Sequence, residues 1–133
     1  MYITLESDYA IRIVNCLAVS GKRMDAKAIS ESTNVTLRFS LKILRKLVAG
    51  NIVKSFKGTQ GGYELSKNPH EITLKDIVEV TEGEYAFSRC LCGEYTCTRK
   101  HDGICGYQNV FREISEVVKQ KLEAVSIGSI IEG

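Results

Sequence analysis

The feature that most constrains the fold is a long amphipathic segment near the C-terminus, residues 106–125. Its apolar residues recur at steps of three and four over about five turns, which is the spacing of one helix face. They are Tyr107, Val110, Phe111, Ile114, Val117, Val118, Leu122 and Val125. At about 1.5 Å per residue, this helix spans roughly 30 Å and needs an apolar partner along its length. Since the rest of the chain offers little to cover it, the pattern predicts a homodimer.

The remaining patterns predict a mainly α-helical chain with a small β-hairpin wing. Helices are expected where apolar residues follow capping residues, and strands where they flank a glycine-rich turn. The expected helices cover 6–20, 26–32, 37–49, 74–82 and 126–131, and the expected strands cover 52–57 and 63–66. Two short helices followed directly by a hairpin form a winged helix-turn-helix.

This order of elements predicts the division of the chain. Residues 1–70 are expected to form a winged helix-turn-helix DNA-binding region. Residues 71–133 are expected to hold a linker helix, a cysteine loop (90–105) and the dimerisation helix, in one compact domain with the first part. Residues 1–70 hold 11 Lys and Arg against 5 Asp and Glu, whereas residues 71–133 hold 7 against 11. A basic first half suits a polyanion such as double-stranded DNA.

Segment 37–49 has the layout of a recognition helix in the DNA major groove. One face is apolar and is expected to face the core through Leu37, Leu44, Leu47 and Val48. A neighbouring face carries the cations Arg38, Lys42 and Arg45, and Lys46 adds a fourth. No acidic residue is expected to offset their charge. The candidate DNA contacts are Thr36, Arg38, Phe39, Lys42, Arg45 and, in the hairpin, Lys57. Leu41 could either pack inward or touch a thymine methyl.

Four of the five cysteines lie within sixteen residues, at Cys90, Cys92, Cys97 and Cys105. Their segment is polar and contains glycine, so it predicts an exposed loop whose thiols bind a metal or cluster or form disulfides. The N-terminus has no signal-peptide pattern, so a cytoplasmic location with reduced thiols is expected. Their spacing fits neither a zinc finger nor a ferredoxin, so spacing alone does not name the metal.

Other residues do not indicate an enzyme. The two histidines, His70 and His101, fall in separate expected loops, and no Ser/His/Asp set or paired carboxylates converge. His101 is expected to be a surface residue, although a zinc site including it stays open. Cys16 is expected to be a small core residue of the first helix. No apolar run approaches the roughly 20 residues of a membrane span.

Taken together, these motifs resemble the IscR/NsrR-type winged-helix transcription regulators, a bacterial family that also includes CymR. The resemblance runs nearly end to end. It is carried by Asp8-Tyr9-Ala10, by the wing sequence Gly58-Thr59-Gln60-Gly61-Gly62-Tyr63, by Arg89-Cys90 with the later thiols, and by Ile127-Gly128-Ser129-Ile130. It implies a homodimer with crossed long helices and a wing beside each recognition helix.

The resemblance also implies an iron–sulfur cluster, 2Fe–2S or 4Fe–4S, held by three loop cysteines and a fourth ligand. Cys90 aligns with the first thiol of the family, and Cys92 is extra; it either replaces Cys90 or supplies the fourth ligand, so Cys90, Cys92, Cys97 and Cys105 are all candidate ligands. Asp8 stands where some members supply an acid from the other subunit, and Gln108 stands where others have a histidine. Lys57 replaces an arginine that is common in the family.

The function expected is therefore a DNA-binding transcription regulator, a repressor in the first instance, gated by an iron–sulfur cluster in the cysteine loop. Two alternatives remain for the loop: a thiol–disulfide redox sensor and a zinc-binding regulator without a cluster. A zinc-stabilised interaction protein that never contacts DNA is a further alternative.

Overall fold

The computed structural model describes residues 3–93, 95–99, 103 and 105–133, so His101 lies outside the described residues. The elements follow the order α1 (Leu5–Ser20), α2 (Ala26–Thr33), α3 (Leu37–Ala49), β1 (Val53–Phe56), β2 (Gly62–Leu65), α4 (Leu74–Glu82), α5 (Gly106–Glu123) and α6 (Ile127–Glu132). The predicted fold class, mainly α with a hairpin wing, is confirmed. Two short 3-10 helices, Pro69–Glu71 and Arg89–Leu91, were not predicted.

Side-chain caps explain why the helices begin where the sequence predicts. Asp25 accepts a 2.8 Å hydrogen bond from the Ala28 amide, and Thr36 accepts one of 3.2 Å from Phe39. Thr73 and Asp76 form a reciprocal capping box at the start of α4. Each cap satisfies an amide that the first helical turn leaves without a partner, so the starts of these helices are fixed locally.

A single apolar core joins the first three helices to the C-terminal part of the chain. Its fully buried side chains include Ile13, Leu17, Ile29, Ile43, Leu44, Leu47, Ile52, Ile72, Ile77 and Ile127. Thr73 and Ser126 form a bridge that brings the start of α6 beside the start of α4. The segment after α5 therefore returns to the helix-turn-helix and packs into its core.

The wing is an antiparallel hairpin that is fastened to the segment before α2. In its register Val53 pairs with Leu65 and Phe56 pairs with Gly62. Gly62 has φ +134°, and a Cβ there would lie 2.6 Å from the Met24 carbonyl oxygen. Only glycine allows this approach, which lets Met24 and Tyr63 exchange backbone hydrogen bonds of 2.9 and 2.7 Å.

Helix α5 is only partly covered within one chain. Ser115 is its one buried residue, whereas Tyr107, Val110 and Val117 are 65%, 51% and 66% exposed. Its inner side meets the segment after α4, where the Phe87 and Phe111 rings lie 5.5 Å apart. The predicted stripe is therefore present as a helix, and its outer part faces away from the chain's own core.

Candidate nucleic-acid interface and thiol cavity

Helix α3 places most of the predicted DNA contacts on its exposed side. Its buried face consists of Ser40, Ile43, Leu44 and Leu47. Arg38, Lys42 and Arg45 are exposed, and Leu41, whose orientation the sequence left open, points outward with 40% exposure. The prediction that Leu37 faces the core is wrong, because this residue is 45% exposed. It continues the line of Ser40 and Leu44, but in the first turn, beyond the edge of the core.

An acidic residue from α1 offsets part of the charge of α3, contrary to the sequence-based expectation. One carboxylate oxygen of Glu6 lies 2.7 Å from the Lys46 ammonium and 4.0 Å from that of Lys42. Arg38 and Arg45 make no ion pair within the described part of the chain. The four cations of α3 therefore divide into two paired lysines and two unpaired arginines.

The remaining DNA candidates differ in how free their side chains are. Phe39 packs edge-on against Tyr9, with ring centroids 5.5 Å apart. The Thr36 hydroxyl is engaged as the cap of α3. Lys57 is exposed just beyond β1, at the tip of the wing. A cavity of about 250 Å³ separates α3 from the wing and is lined by Leu41, Arg45, Val48, Ser55 and Tyr63.

Three of the four loop cysteines line one cavity. Cys90, Cys97 and Cys105 surround a volume of about 270 Å³, together with Tyr95, Arg99 and other residues. Cys92 is exposed and does not line this cavity; it lines a neighbouring cavity of about 620 Å³, which Cys90 also borders and which includes Arg112 and Lys119. All the cysteines are free thiols. The extra cysteine therefore lies outside the cavity that the other three line, although it shares the neighbouring cavity with Cys90, and spacing alone did not provide this distinction.

Local hydrogen bonds hold the thiol cavity against the start of α5. Cys90 belongs to the short helix Arg89–Leu91, and its thiol donates a 3.2 Å hydrogen bond to the Ser88 hydroxyl. Gln108 donates a 3.0 Å hydrogen bond to the Cys90 carbonyl, which ties this turn to α5. Cys105 is the N-cap position of α5. The wall of the cavity is therefore fastened to the first turn of the long helix.

The thiols suit an iron–sulfur cluster in their chemistry more than in their present arrangement. Among the described residues, no three Cys, His, Asp or Glu side chains lie close enough to hold a metal ion. A donor set of thiols around one cavity nevertheless matches the ligands that such clusters take. Asp8 does not line the cavity, and its carboxylate pairs with Arg12 at 2.8 Å.

Cys16 lies apart from the loop thiols and is not the core residue that was expected. It is partly buried, it lines a cavity with Arg12, and its sulfur lies 3.7 Å from that of Met24. Burial raises the pKa of the Cys16 thiol, and a hydrogen bond with Ser32 opposes that rise. Cys16 is therefore less reactive than an ordinary surface thiol at neutral pH.

An ion pair closes one side of the cavity next to Cys92. Lys119 donates a 2.8 Å hydrogen bond to Glu84, and this contact lowers the pKa of Glu84 and raises the pKa of Lys119. The pair joins the segment after α4 to the middle of α5. Together with the Gln108 contact and the packing of Phe87 on Phe111, it ties the segment between α4 and α5 to the long helix.

Comparison with known proteins places this geometry in context. The family model described as "Rrf2: Iron-dependent Transcriptional regulator" matches residues 3–133. The regulator NsrR of Bacillus licheniformis is 25% identical over 136 residues, covering 98% of this chain and 92% of that protein.

Two solved structures have the same fold. The structure of IscR from T. potens superposes with a TM-score of 0.79 at 20% identity, covering 99% of this chain and 87% of that one. The structure of CymR, the global cysteine regulator of B. subtilis, gives a TM-score of 0.77 at 23% identity, covering 98% and 95%. None of the helices in the described residues is both long and apolar enough to cross a bilayer.

Proposed function

The chain belongs to the Rrf2 family of iron-dependent transcriptional regulators, and from this premise we propose a DNA-binding regulator gated by an iron–sulfur cluster. It is a transcriptional regulator and not an enzyme. The proposal concerns which residues bind DNA, what the thiol cavity holds and how the two are connected. The observation that supports cluster gating is the cavity lined by three thiols at the start of α5. Helix α4 lies between this cavity and the recognition helix.

The proposed DNA interface consists of the exposed side of α3 and the tip of the wing. Arg38 and Arg45 are exposed and can present bidentate donors to guanine edges in the major groove. Lys42 and Lys57 suit backbone phosphates, which position the protein without specifying sequence. Thr36 and Phe39 lie in the first turn, where a recognition helix meets the DNA. Residues 1–70 would thus form the DNA-binding region.

The proposed partner of α5 is the same helix of a second copy. An exposed stripe containing Tyr107, Val110 and Val117 is typical of a surface that another chain covers. A homodimer would place two recognition helices on one duplex, and half-sites about one helical turn apart would match them. Residues 71–133 would therefore carry both dimerisation and sensing.

The proposed ligands of the cluster are Cys90, Cys97 and Cys105, with the fourth ligand coming from Cys92 or from Asp8 of the partner subunit. A bound 2Fe–2S or 4Fe–4S cluster would supply a centre that reacts with oxidants or nitric oxide. The chain's own contribution is to hold the thiols together: Ser88 and Gln108 fix Cys90, and α5 carries Cys105.

Helix α4 is the proposed connection between the thiols and α3. It leads directly through residues 83–88 to Cys90. At its C-terminal end the Thr81 hydroxyl lies 2.5 Å from that of Ser7 on α1. The neighbouring residue of α4, Val80, packs closely on Gly50 at the end of α3. A Cβ added at Gly50 would lie 2.5 Å from a methyl group of Val80. A shift of the cysteine segment would therefore reach the end of the recognition helix through tightly packed contacts.

The test is anaerobic isolation followed by iron and sulfide analysis and by visible and Mössbauer spectra. We expect iron and sulfide in stoichiometric amounts, lost in Cys97→Ser and Cys105→Ser and retained in the matched control Cys16→Ser. In mobility-shift assays on genomic fragments at one fixed salt concentration, the affinity for DNA should change when the cluster is removed. A colourless, iron-free protein that binds its operator equally well after cysteine substitution would overturn cluster gating.

A thiol-redox regulator is the second candidate, and the position of Cys92 favours it. Cys92 and Cys97 are both exposed and close in sequence. Cys92 does not line the cavity that Cys97 shares with Cys90 and Cys105, so its thiol is left over for another role. Oxidation could join them in a disulfide without any metal. Mass spectrometry of the oxidised protein distinguishes the two functions, because a Cys92–Cys97 disulfide that alters DNA binding in iron-free protein supports this candidate. Zinc in the metal analysis would instead support a zinc-binding regulator.

A further inference from the structure

The ion pair between α1 and α3 involves Lys42, a residue of the proposed DNA interface, and Lys46 on the same helix. The Glu6 oxygen that meets Lys46 at 2.7 Å is shielded from solvent, although the Lys46 and Lys42 side chains remain 38% and 58% exposed. The contact is close, but it is not aligned as a hydrogen bond, so it acts mainly through charge. The lysine ends of the pair are therefore accessible from outside, while this carboxylate oxygen is enclosed and the Glu6 side chain as a whole is 21% exposed.

Neighbouring contacts fix the position of the Glu6 backbone. The next residue, Ser7, is completely buried and bonds to Thr81 and Glu82 on α4. Two residues further, Tyr9 packs edge-on against Phe39 of α3. The first turn of α1 is thus held against both α3 and α4. Glu6 is consequently a fixed negative charge beside the recognition helix and not a mobile surface group.

We propose that Glu6 is an intramolecular competitor of DNA phosphate, a positioning residue that holds Lys42 and Lys46 against α1 and thereby lowers the affinity of α3 for DNA. This inference rests on the proposed DNA-binding function. A lysine ammonium that meets a phosphate must give up at least part of its contact with Glu6. Arg38 and Arg45, which have no ion pair in the described part of the chain, supply attraction without this competition.

The competition has a measurable salt dependence. Each lysine that neutralises a phosphate steepens the plot of log affinity against log salt concentration by about 0.9. Breaking an internal ion pair on binding offsets part of that gain. Removal of the Glu6 charge should therefore raise non-specific DNA affinity by about threefold to tenfold at low salt and steepen the slope by up to about 1.8.

The experiment measures fluorescence anisotropy of a labelled random-sequence duplex with the full-length, anaerobically reduced protein between about 50 and 200 mM KCl. The variant is Glu6→Gln. Its matched control is Glu71→Gln, which removes the same charge from an exposed carboxylate without an ion pair in the described residues. We expect tighter binding and a steeper slope for Glu6→Gln, and values close to those of the unchanged protein for Glu71→Gln.

A double variant of the two lysines tests whether Glu6 changes DNA affinity through them. When Lys42 and Lys46 are both changed to glutamine, adding Glu6→Gln should no longer tighten binding. Equal gains from Glu6→Gln and Glu71→Gln, or weaker binding by Glu6→Gln, would overturn the inference. Thermal melts by circular dichroism check folding. If Glu6→Gln does not fold, Glu6→Asp replaces it as the test variant. The shorter side chain withdraws the carboxylate from the two lysines, so DNA binding should still become tighter. An unchanged affinity of Glu6→Asp would overturn the inference.

Failure of the inference is distinguishable from failure of the proposed function. If the unchanged protein binds the duplex and Glu6→Gln behaves like Glu71→Gln, only the role of Glu6 is lost. If the unchanged protein binds no duplex at all at low salt, DNA binding is overturned, and the role of Glu6 is overturned with it.

Discussion

The helix-turn-helix and the long helix α5 are both amphipathic, but only the first buries its apolar face within the chain. In α3 the side chains of Ile43, Leu44 and Leu47 are fully buried. In α5 one residue, Ser115, is buried, and Val117 is 66% exposed. The first region is therefore defined by its own packing. The second is helical as expected, but its outer apolar residues, such as Val110, stay exposed in one copy of the chain.

The largest difference between the regions should appear in stability. Leu44→Ala should lower the free energy of unfolding by about 2–5 kcal/mol, because it leaves a cavity in a fully buried core. Val117→Ala should change the unfolding of dilute monomer by less than about 0.5 kcal/mol. Urea denaturation at low protein concentration measures both. Similar losses for the two variants would mean that α5 is already covered within one chain.

The second largest effect is expected on dimerisation, when charge is placed on the exposed apolar stripe of α5. The double variant Val110→Glu/Val117→Glu should weaken dimerisation by about 100-fold, since it places carboxylates in the proposed apolar interface. Gln120→Glu, on an exposed polar position of the same helix, is the matched control. Sedimentation velocity over a concentration series gives both affinities. A double variant that remains dimeric would assign the dimer interface to another surface.

The thiols of the two regions should differ in reactivity. Because burial raises the pKa of Cys16, less of it is thiolate, and iodoacetamide at pH 8 should modify it about 10-fold more slowly than exposed Cys92. Timed alkylation with peptide mass spectrometry follows each cysteine separately. The difference should shrink in Met24→Ala, which opens the surroundings of Cys16. Modification of Cys16 before Cys92 would contradict this prediction.

The smallest effect is expected at the Glu84–Lys119 pair, whose carboxylate end lies in solvent, with the Glu84 side chain 79% exposed. Lys119→Met should return the lowered pKa of Glu84 toward its ordinary value, as carbon-detected NMR titration would show. A carboxylate whose folded pKa is lowered stabilises the fold above its unfolded pKa, and that contribution is lost as pH falls through the folded pKa. Because solvent screens the pair, stability at neutral pH should hardly change. An unaltered Glu84 titration in the variant would show that Lys119 is not the cause.

Much of the fold follows from local rules in the sequence. The caps at Asp25, Thr36 and Thr73 and the helical spacing of apolar residues predict each long helix to within about two residues. These signals depend on atoms a few positions apart, so a single sequence contains them. The 3-10 turn at Arg89–Leu91 was missed because a three-residue helix has no periodicity to detect.

The candidate site was only partly predictable, because its decisive contacts join distant positions. The exposed arginines of α3 follow from helical spacing, whereas the pairing of Glu6 with Lys46 depends on how α1 crosses α3. Likewise, four closely spaced thiols could not indicate that Cys92 would lie outside the cavity that the other three line. Such separations arise from chain folding, and sequence spacing does not encode them.

Helix α5 begins directly after Cys105 and ends just before α6, whose Ile127 is buried in the core of the helix-turn-helix. Its 18 residues make a rigid rod of about 27 Å. A rod of that length acts as a lever: a tilt of about 6° at the thiol end displaces the far end by roughly 3 Å. That distance is close to the spacing of about 3.4 Å between successive base pairs. In the proposed cluster-gated dimer, a small rearrangement of the sulfur ligands would therefore be amplified into a mismatch of about one base-pair step between the two halves of a bound duplex.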